Sequence, residues 1–273
     1  MHLQNLLQNG FRIALSTLCA SFLLISVAES AASARPSVIY GAAKVSRFHP
    51  APAARSRLLA IVDQSAILSR HQILADAVLR SMPPLCKDSL QNFYVRYDKS
   101  NRRGYGGKTS IILDGNVSDT EFVALLVHEC GHVIHGNLAG NGSVPSGFKD
   151  GMQTFFINSP AAKFFAISWQ SENVLRKGTK PEDFASGYAK TNTFEDFSEF
   201  LVAYLLHPQY AMSQAKQSTA FLAKLQWMQT NLAPMATPVS YSLAAWNGSI
   251  PWDMTKTALV LAPVPNMLTA NVR

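Results

Sequence analysis

Residues 128–132 read His-Glu-Cys-Gly-His, and this spacing constrains the fold more than any other stretch of the chain. On an α-helix, residues four apart stack on one face, so His128 and His132 can hold one metal ion with Glu129 beside them as a general base. That geometry needs a helix that buries its other side. Ser118 followed by Glu121 fits a capping box, in which the Ser side chain takes an orphan backbone N–H and the Glu reaches back. From that start, Glu121, Leu125, His128 and His132 fall within one arc, while Val123, Leu126, Val127, Cys130, Val133 and Ile134 fill the far side. The apolar side is expected in the core and the His side in a cleft. Gly136 to Gly140 should end the helix, because Gly and Asn favour a left-handed C-terminal turn. His135 needs no metal to explain it, and Cys130 belongs to the core rather than to the metal.

A tetrahedral catalytic zinc takes three protein ligands and leaves the fourth position to water, so another Asp, Glu or His must lie downstream. His135 and Leu138 stand where a metzincin carries Gly and His, which excludes that class. No Glu lies between Glu129 and Glu172, which removes a thermolysin-like ligand. Asp150, Glu172, Glu182 and Asp183 remain, with the cluster Glu195, Asp196 and Glu199. The cluster is favoured by geometry. Thr193 can cap a helix that runs to about Leu206 and stops before His207-Pro208, since the residue before a proline is pushed out of the helical region. Glu195 and Glu199 then share a face, and Phe194, Phe197, Leu201 and Leu205 form a separate apolar stripe. One Glu can bind the metal while the next orients a ligand His. Asp196 is expected to partner Thr193 at the cap.

Gly187-Tyr188-Ala189-Lys190-Thr191-Asn192, followed by Glu195-Asp196-Phe197-Ser198-Glu199, resembles the Tyr-Ala-x-Thr-Asn-x-x-Glu-x-Phe-x-Glu signature of the anthrax-lethal-factor-like metallopeptidases. That group includes the Pro-Pro endopeptidases. The similarity spans roughly Arg103 to His207. It implies Glu195 as third zinc ligand, Tyr188 as stabiliser of the oxyanion and Glu199 as a supporting residue near the metal. It also implies a zincin-like α+β domain, mainly helical, with a small sheet whose edge strand precedes the histidine-bearing helix. Substrate preference does not transfer with the motif.

Asn92 to Asp98 and Lys108 to Asp114 read as two strands joined by the Gly-rich stretch Arg103 to Gly107. In zincin folds the second of these is an exposed edge that can pair with an extended peptide by strand addition. The implied chemistry is peptide-bond hydrolysis. Zinc held by His128, His132 and Glu195 lowers the pKa of its water to about 7. Glu129 takes the water proton and passes it to the leaving amine, and Tyr188 donates to the oxyanion. The leading expectation is therefore an exported zinc endopeptidase. The alternatives are a catalytically silent zinc-containing binding protein and a metal-dependent amidase acting on cell-wall peptides.

The ends of the chain set its context. In residues 1–34, Arg12 precedes an apolar run from Ile13 to Ala28, and Ala32-Ser33-Ala34 offers a cleavage site, the pattern of a secretory signal peptide. The run falls a little short of the roughly twenty residues a spanning helix needs, so no stable membrane span is expected after cleavage, and an uncleaved anchor is the alternative. Leu18 before Cys19 argues against a lipid anchor. The mature protein would start at Arg35 in the periplasm or outside a bacterial cell, where Cys86 and Cys130 can pair. Residues 35–57 read as a linker or surface arm, 58–231 as the catalytic domain and 232–273 as an irregular tail packed on it. Helices are expected over Leu58 to Met82, from Ser159-Pro160 through Trp169, and over Gln214 to Asn231. Net charge is +7, with basic residues scattered except for Arg102-Arg103. No nucleic-acid partner is expected, since neither a motif nor a basic stripe is present. The expected partner is a protein or peptide substrate bound as an extended strand, and oligomeric state is left open.

Overall fold

The apolar stretch Leu58 to Met82 is helical only in its second half. In a computed structural model of the chain, which describes residues 57–98, 101–235, 239–242 and 248–263, helix α1 spans Ser69–Ser81. It stops at Met82, whose extended backbone (ψ 158°) is what a following proline imposes. Pro84 then opens the short helix α2, Pro84–Ser89. The expected leader at 1–34 and the arm at 35–57, apart from Arg57, lie outside the described residues.

Strand β1 is Asn92–Arg96, and the Gly-rich stretch expected as a connection is itself a strand, β2, Gly104–Gly106. Strand β3, Ser110–Asp114, lies between them, in the order β1-β3-β2. It runs parallel to β1, with Phe93 opposite Ile111, and antiparallel to β2, with Tyr105 opposite Ile112. This corrects the expectation that the second of the two strands is an exposed edge. The strand leading into the histidine-bearing helix is central, because Ile111 and Leu113 point into the core and both its backbone edges are paired. The edge positions fall to β1 and β2, and β2 is the one that lies against the Glu129 turn of the histidine-bearing helix.

Helix α3, Asp119–Asn137, starts where the cap predicts, with Ser118 Oγ accepting from the Glu121 N–H at 3.2 Å. The Glu121 carboxylate is held by Arg103 Nη1 at 2.7 Å. Cys130 is fully buried and joined to Cys86 by a disulfide, tying α3 to α2. Strands β4, Pro145–Asp150, and β5, Gln153–Phe156, make a hairpin that turns at Gly151 in the left-handed region, φ 55°. Helix α4, Pro160–Ser168, has Ser159 as its cap. Strands β6, Trp169–Ser171, and β7, Val174–Leu175, form a second hairpin, and single 3-10 turns follow at Pro181–Asp183 and Tyr188–Lys190.

Helix α5, Thr193–Leu206, is capped by Asn192 rather than Thr193. Asn192 Oδ1 accepts from the N–H groups of Phe194 and Glu195, both at 2.9 Å, while Thr193 is buried as the first helical residue. Asp196 is therefore no capping partner. It is fully buried, 2.6 Å from Lys224 Nζ and 2.8 Å from Trp169 Nε1. The expected helix Gln214 to Asn231 is two elements. Helix α6, Pro208–Ala215, ends before Ser218, whose side chain caps α7, Thr219–Asn231, by accepting from the Phe221 N–H. In the tail, β8, Ser240–Ser242, pairs with β9, Leu259–Leu261, and a 3-10 turn covers Met254–Lys256.

The architecture is α+β, helices with small sheets, and the described residues belong to one compact unit, Ala54–Arg273. Its centre is the α3–α5 contact. Beside it, Phe164 and Phe165 of α4 meet Phe194 and Phe197 of α5 edge to face, with the Phe164 and Phe197 centroids 5.0 Å apart, a geometry that adds to simple burial of apolar area. Among the described residues no helix is long and apolar enough to cross a membrane.

Candidate metal centre

The candidate metal site begins with a missing side chain. Where α3 and α5 cross, a Cβ on Gly131 would stand 2.6 Å from Ser198 Oγ and 2.7 Å from Ser198 Cα, so only glycine allows this approach. The approach carries Glu195 and Glu199 up to the two histidines. Glu195 Oε2 lies 3.1 Å from His128 Nε2 and 3.6 Å from His132 Nε2. One ligand atom from each of His128, His132 and Glu195 falls within 4.8 Å of the others, so the group could hold a metal ion.

Hydrogen bonding behind the site shows what these atoms require. Glu199 is fully buried, with Oε1 at 2.9 Å from His128 Nδ1. Its Oε2 accepts from Ser186 Oγ at 2.6 Å and from the Met254 N–H at 2.7 Å. A carboxylate so placed accepts a hydrogen bond from the Nδ1–H of His128, which keeps the proton on Nδ1 and leaves the Nε2 lone pair aimed at Glu195. Two acceptors 3.1 Å apart need a cation or a proton between them. Two imidazole nitrogens and one carboxylate oxygen suit zinc, and the same donors also suit other first-row metals. Burial pushes the His128 pKa down, but hydrogen bonds to Glu195 and Glu199 override this and leave it well above its ordinary value. Burial pushes Glu195 up, and the two histidines more than reverse it, holding the carboxyl well below the usual carboxylate range.

His135 has a place that sequence reasoning missed. It is buried, its ring stacks on Phe194 at 5.1 Å, and its Nε2 lies 3.1 Å from His132 Nδ1. Burial holds its pKa well below normal, so the ring is neutral. For His132 to offer Nε2 to a metal, its Nδ1 must carry the proton and donate to His135. Thus His135 stands behind His132 as Glu199 stands behind His128. The available signal was the three-residue spacing, which puts the two rings on one helix face.

Glu129 is buried beneath β2. A Cβ on Gly104 would fall inside its carboxylate, and one on Gly106 would stand 2.7 Å from its backbone oxygen and 2.8 Å from His132 Cβ. The glycines of the edge strand are thus required by contact with the helix. Burial raises the Glu129 pKa, against the pull of His128 and His132.

Tyr188 reaches the centre from its 3-10 turn, its ring 6.3 Å from that of His128. Burial first, then the charges of Glu195 and Glu199, push its pKa up to about 12, so the phenol remains a hydrogen-bond donor. The tail fixes this turn. The Gly187 N–H donates to Pro251 O at 2.8 Å, and the Tyr188 N–H to Trp252 O at 2.7 Å. Arg103 ties the tail to the strand and helix as well, binding Asp253 through Nη2 and both Glu121 and Thr255 through Nη1.

The ligand group, Glu129, Tyr188 and Glu199 line one cleft of about 990 Å³, together with Gly104 to Lys108 and with Trp252, Asp253, Thr255 and Lys256 of the tail. Asp150 and Glu172, weighed earlier as ligands, line it without joining the ligand group. Glu182 and Asp183 lie on a separate turn, where Asp183 accepts from Ser218. The contributions of Met254, Trp252 and Ser186 have no local sequence signal. Compared with protein-family models, with curated proteins and with solved structures, the chain gives no match.

Proposed function

We propose that this chain is a zinc-dependent endopeptidase with a zincin-like fold, exported as its first 34 residues suggest. The observation that carries the reading is the convergence of His128, His132 and Glu195, with Glu129 and Tyr188 on the same cleft. Zinc bound there would supply Lewis acidity at the scissile carbonyl and an acidified water. Glu129, its carboxyl raised by burial, suits a base that takes a proton from water and returns it to the leaving amine. The Tyr188 phenol stays protonated and can donate to the oxyanion. Glu199 and His135 set the tautomers that leave both ligand Nε2 atoms bare. The substrate would lie along β2, which pairs with β3 on one side and borders the cleft with glycines at 104 and 106, in the manner of strand addition.

A pool of fluorogenic peptides offered to the chain from Arg35 onward tests this. The parent should cut, stop on chelation and resume with zinc, and Glu129→Gln should lower the rate by about 10²–10⁴-fold, the usual worth of a general base. Cutting by Glu129→Gln at the parental rate would sink the reading.

A further inference from the structure

Trp252 is 73 % exposed, whereas Trp169 is fully buried and Trp227 packs against the core. Tryptophan is among the residues with most to gain from burial, so an exposed indole on a well-held backbone calls for a reason. Its backbone is held firmly. The carbonyls of Pro251 and Trp252 accept from Gly187 and Tyr188, and the next residue, Asp253, is bound by Arg103. Gly187 provides the seat for the ring. A Cβ there would lie 2.5 Å from Cε3, 3.0 Å from Cζ3 and 3.3 Å from Cδ2 of Trp252, so the benzo ring rests directly on the glycine backbone. Trp252 also lines the cleft that holds Glu129 and Tyr188.

We propose that Trp252 is the floor of a substrate side-chain subsite, one that takes an aromatic or large aliphatic residue of the peptide close to the scissile bond. This rests on the peptidase reading and deepens it. The seat on Gly187 needs only part of the indole, and folding alone gives no use for the remainder. A rigid aromatic ring that loses little conformational freedom is the kind of surface that carries binding energy in recognition sites. Its place follows from the chain, because Trp252 is hydrogen-bonded to Tyr188, the residue assigned to the oxyanion. The residue it contacts would therefore lie within a few positions of the bond that is cut.

Quenched peptides that carry Phe, Leu, Ala, Asp or Lys at single positions around the cleavage point test this in the parent, Trp252→Ala and Trp252→Phe. At one position the parent should prefer Phe over Ala by about tenfold or more in kcat/KM, Trp252→Ala should bring that ratio to within about twofold of one, and Trp252→Phe should keep most of it. A ratio that survives in Trp252→Ala, or a parent with no apolar preference anywhere, overturns the proposal. The same peptides are titrated into zinc-loaded Glu129→Gln protein while tryptophan emission is read. A saturable shift with Phe peptides that disappears in the Glu129→Gln/Trp252→Phe protein supports the subsite even if the parent cuts nothing, and then the peptidase reading falls alone. Binding without such a shift overturns the subsite, and so does a complete absence of binding.

Discussion

Replacing Gly131 by alanine asks whether the spacing of α3 and α5 sets the metal centre. The new Cβ would stand 2.6 Å from Ser198 Oγ and 2.7 Å from Ser198 Cα. Rotating the Ser198 side chain relieves the first contact, but the Cα moves only with the helix. Carbon atoms rest ~3.5–4.0 Å apart, so α5 must retreat by about 0.8 Å at this point. Glu195 and Glu199 lie within one turn of Ser198 and retreat with it. The 2.9 Å contact between His128 Nδ1 and Glu199 would open to roughly 3.7 Å, which is beyond hydrogen-bond reach. Overpacking costs about 1–3 kcal/mol, and the better helix propensity of alanine offsets about 1 kcal/mol of that. The fold should therefore lose about 0–2 kcal/mol, a fall in Tm of at most about 8 °C for a chain of this size. Zinc affinity should fall by about 10–100-fold, the usual effect of disturbing the partners of a ligand. Competition with a chromophoric chelator measures the affinity, and calorimetry of the metal-free protein measures the fold. A Gly131→Ala chain that binds zinc as the parent does would refute the reasoning.

Three further outcomes follow from other parts of the structure. His135→Phe keeps the stack on Phe194 but removes the acceptor for His132, and should weaken zinc by about 10–100-fold, whereas His135→Gln should lose less. Metal-free His135→Phe should melt no lower than the parent, because His135 Nδ1 is buried without a partner among the described residues; equal zinc affinity in all three chains would make His135 a packing residue only. The Cys86–Cys130 bridge closes a separation of 44 residues, for which chain entropy predicts about 4 kcal/mol of stability, and urea unfolding of oxidised and reduced protein should differ by that order rather than by less than about 1 kcal/mol. Burial pushes the pKa of His207 down to about 4. The unfolded chain binds that proton near 6.5, so this contribution is whole above about pH 6.5 and shrinks by up to about 3 kcal/mol as pH falls to 4. Urea titrations in chelator should show a shallower acid slope for His207→Gln than for the parent, and equal slopes would contradict this.

What could be read from the sequence was local or periodic. The Ser118 cap, the faces of the histidine helix and the core position of Cys130 all follow from spacing within a few turns, and the structure places them so. The common face of Glu195 and Glu199 was legible for the same reason, although their roles came from the resemblance and not from spacing. The sheet order was hidden because pairing is non-local. The glycines at 104 and 106 look like loop residues until Glu129 lies beneath them. Asn192 and Thr193 are both good caps, and the choice between them falls to the burial of Thr193, a tertiary fact. Ser218 was a readable cap, masked by the apolar period running through it. The tail was the largest omission. Met254 reaches Glu199 across 55 residues and Asp253 reaches Arg103 across 150, contacts that leave no periodic trace.

The metal centre can be tested by elemental analysis of the purified chain after exposure to one equivalent of zinc and removal of unbound ion. The arrangement of His128, His132 and Glu195 predicts about one zinc per chain in the parent and little in Glu195→Ala, since a three-ligand site loses a third of its protein donors. A parent that emerges without zinc, or a Glu195→Ala chain that retains it as firmly, would contradict the site described above.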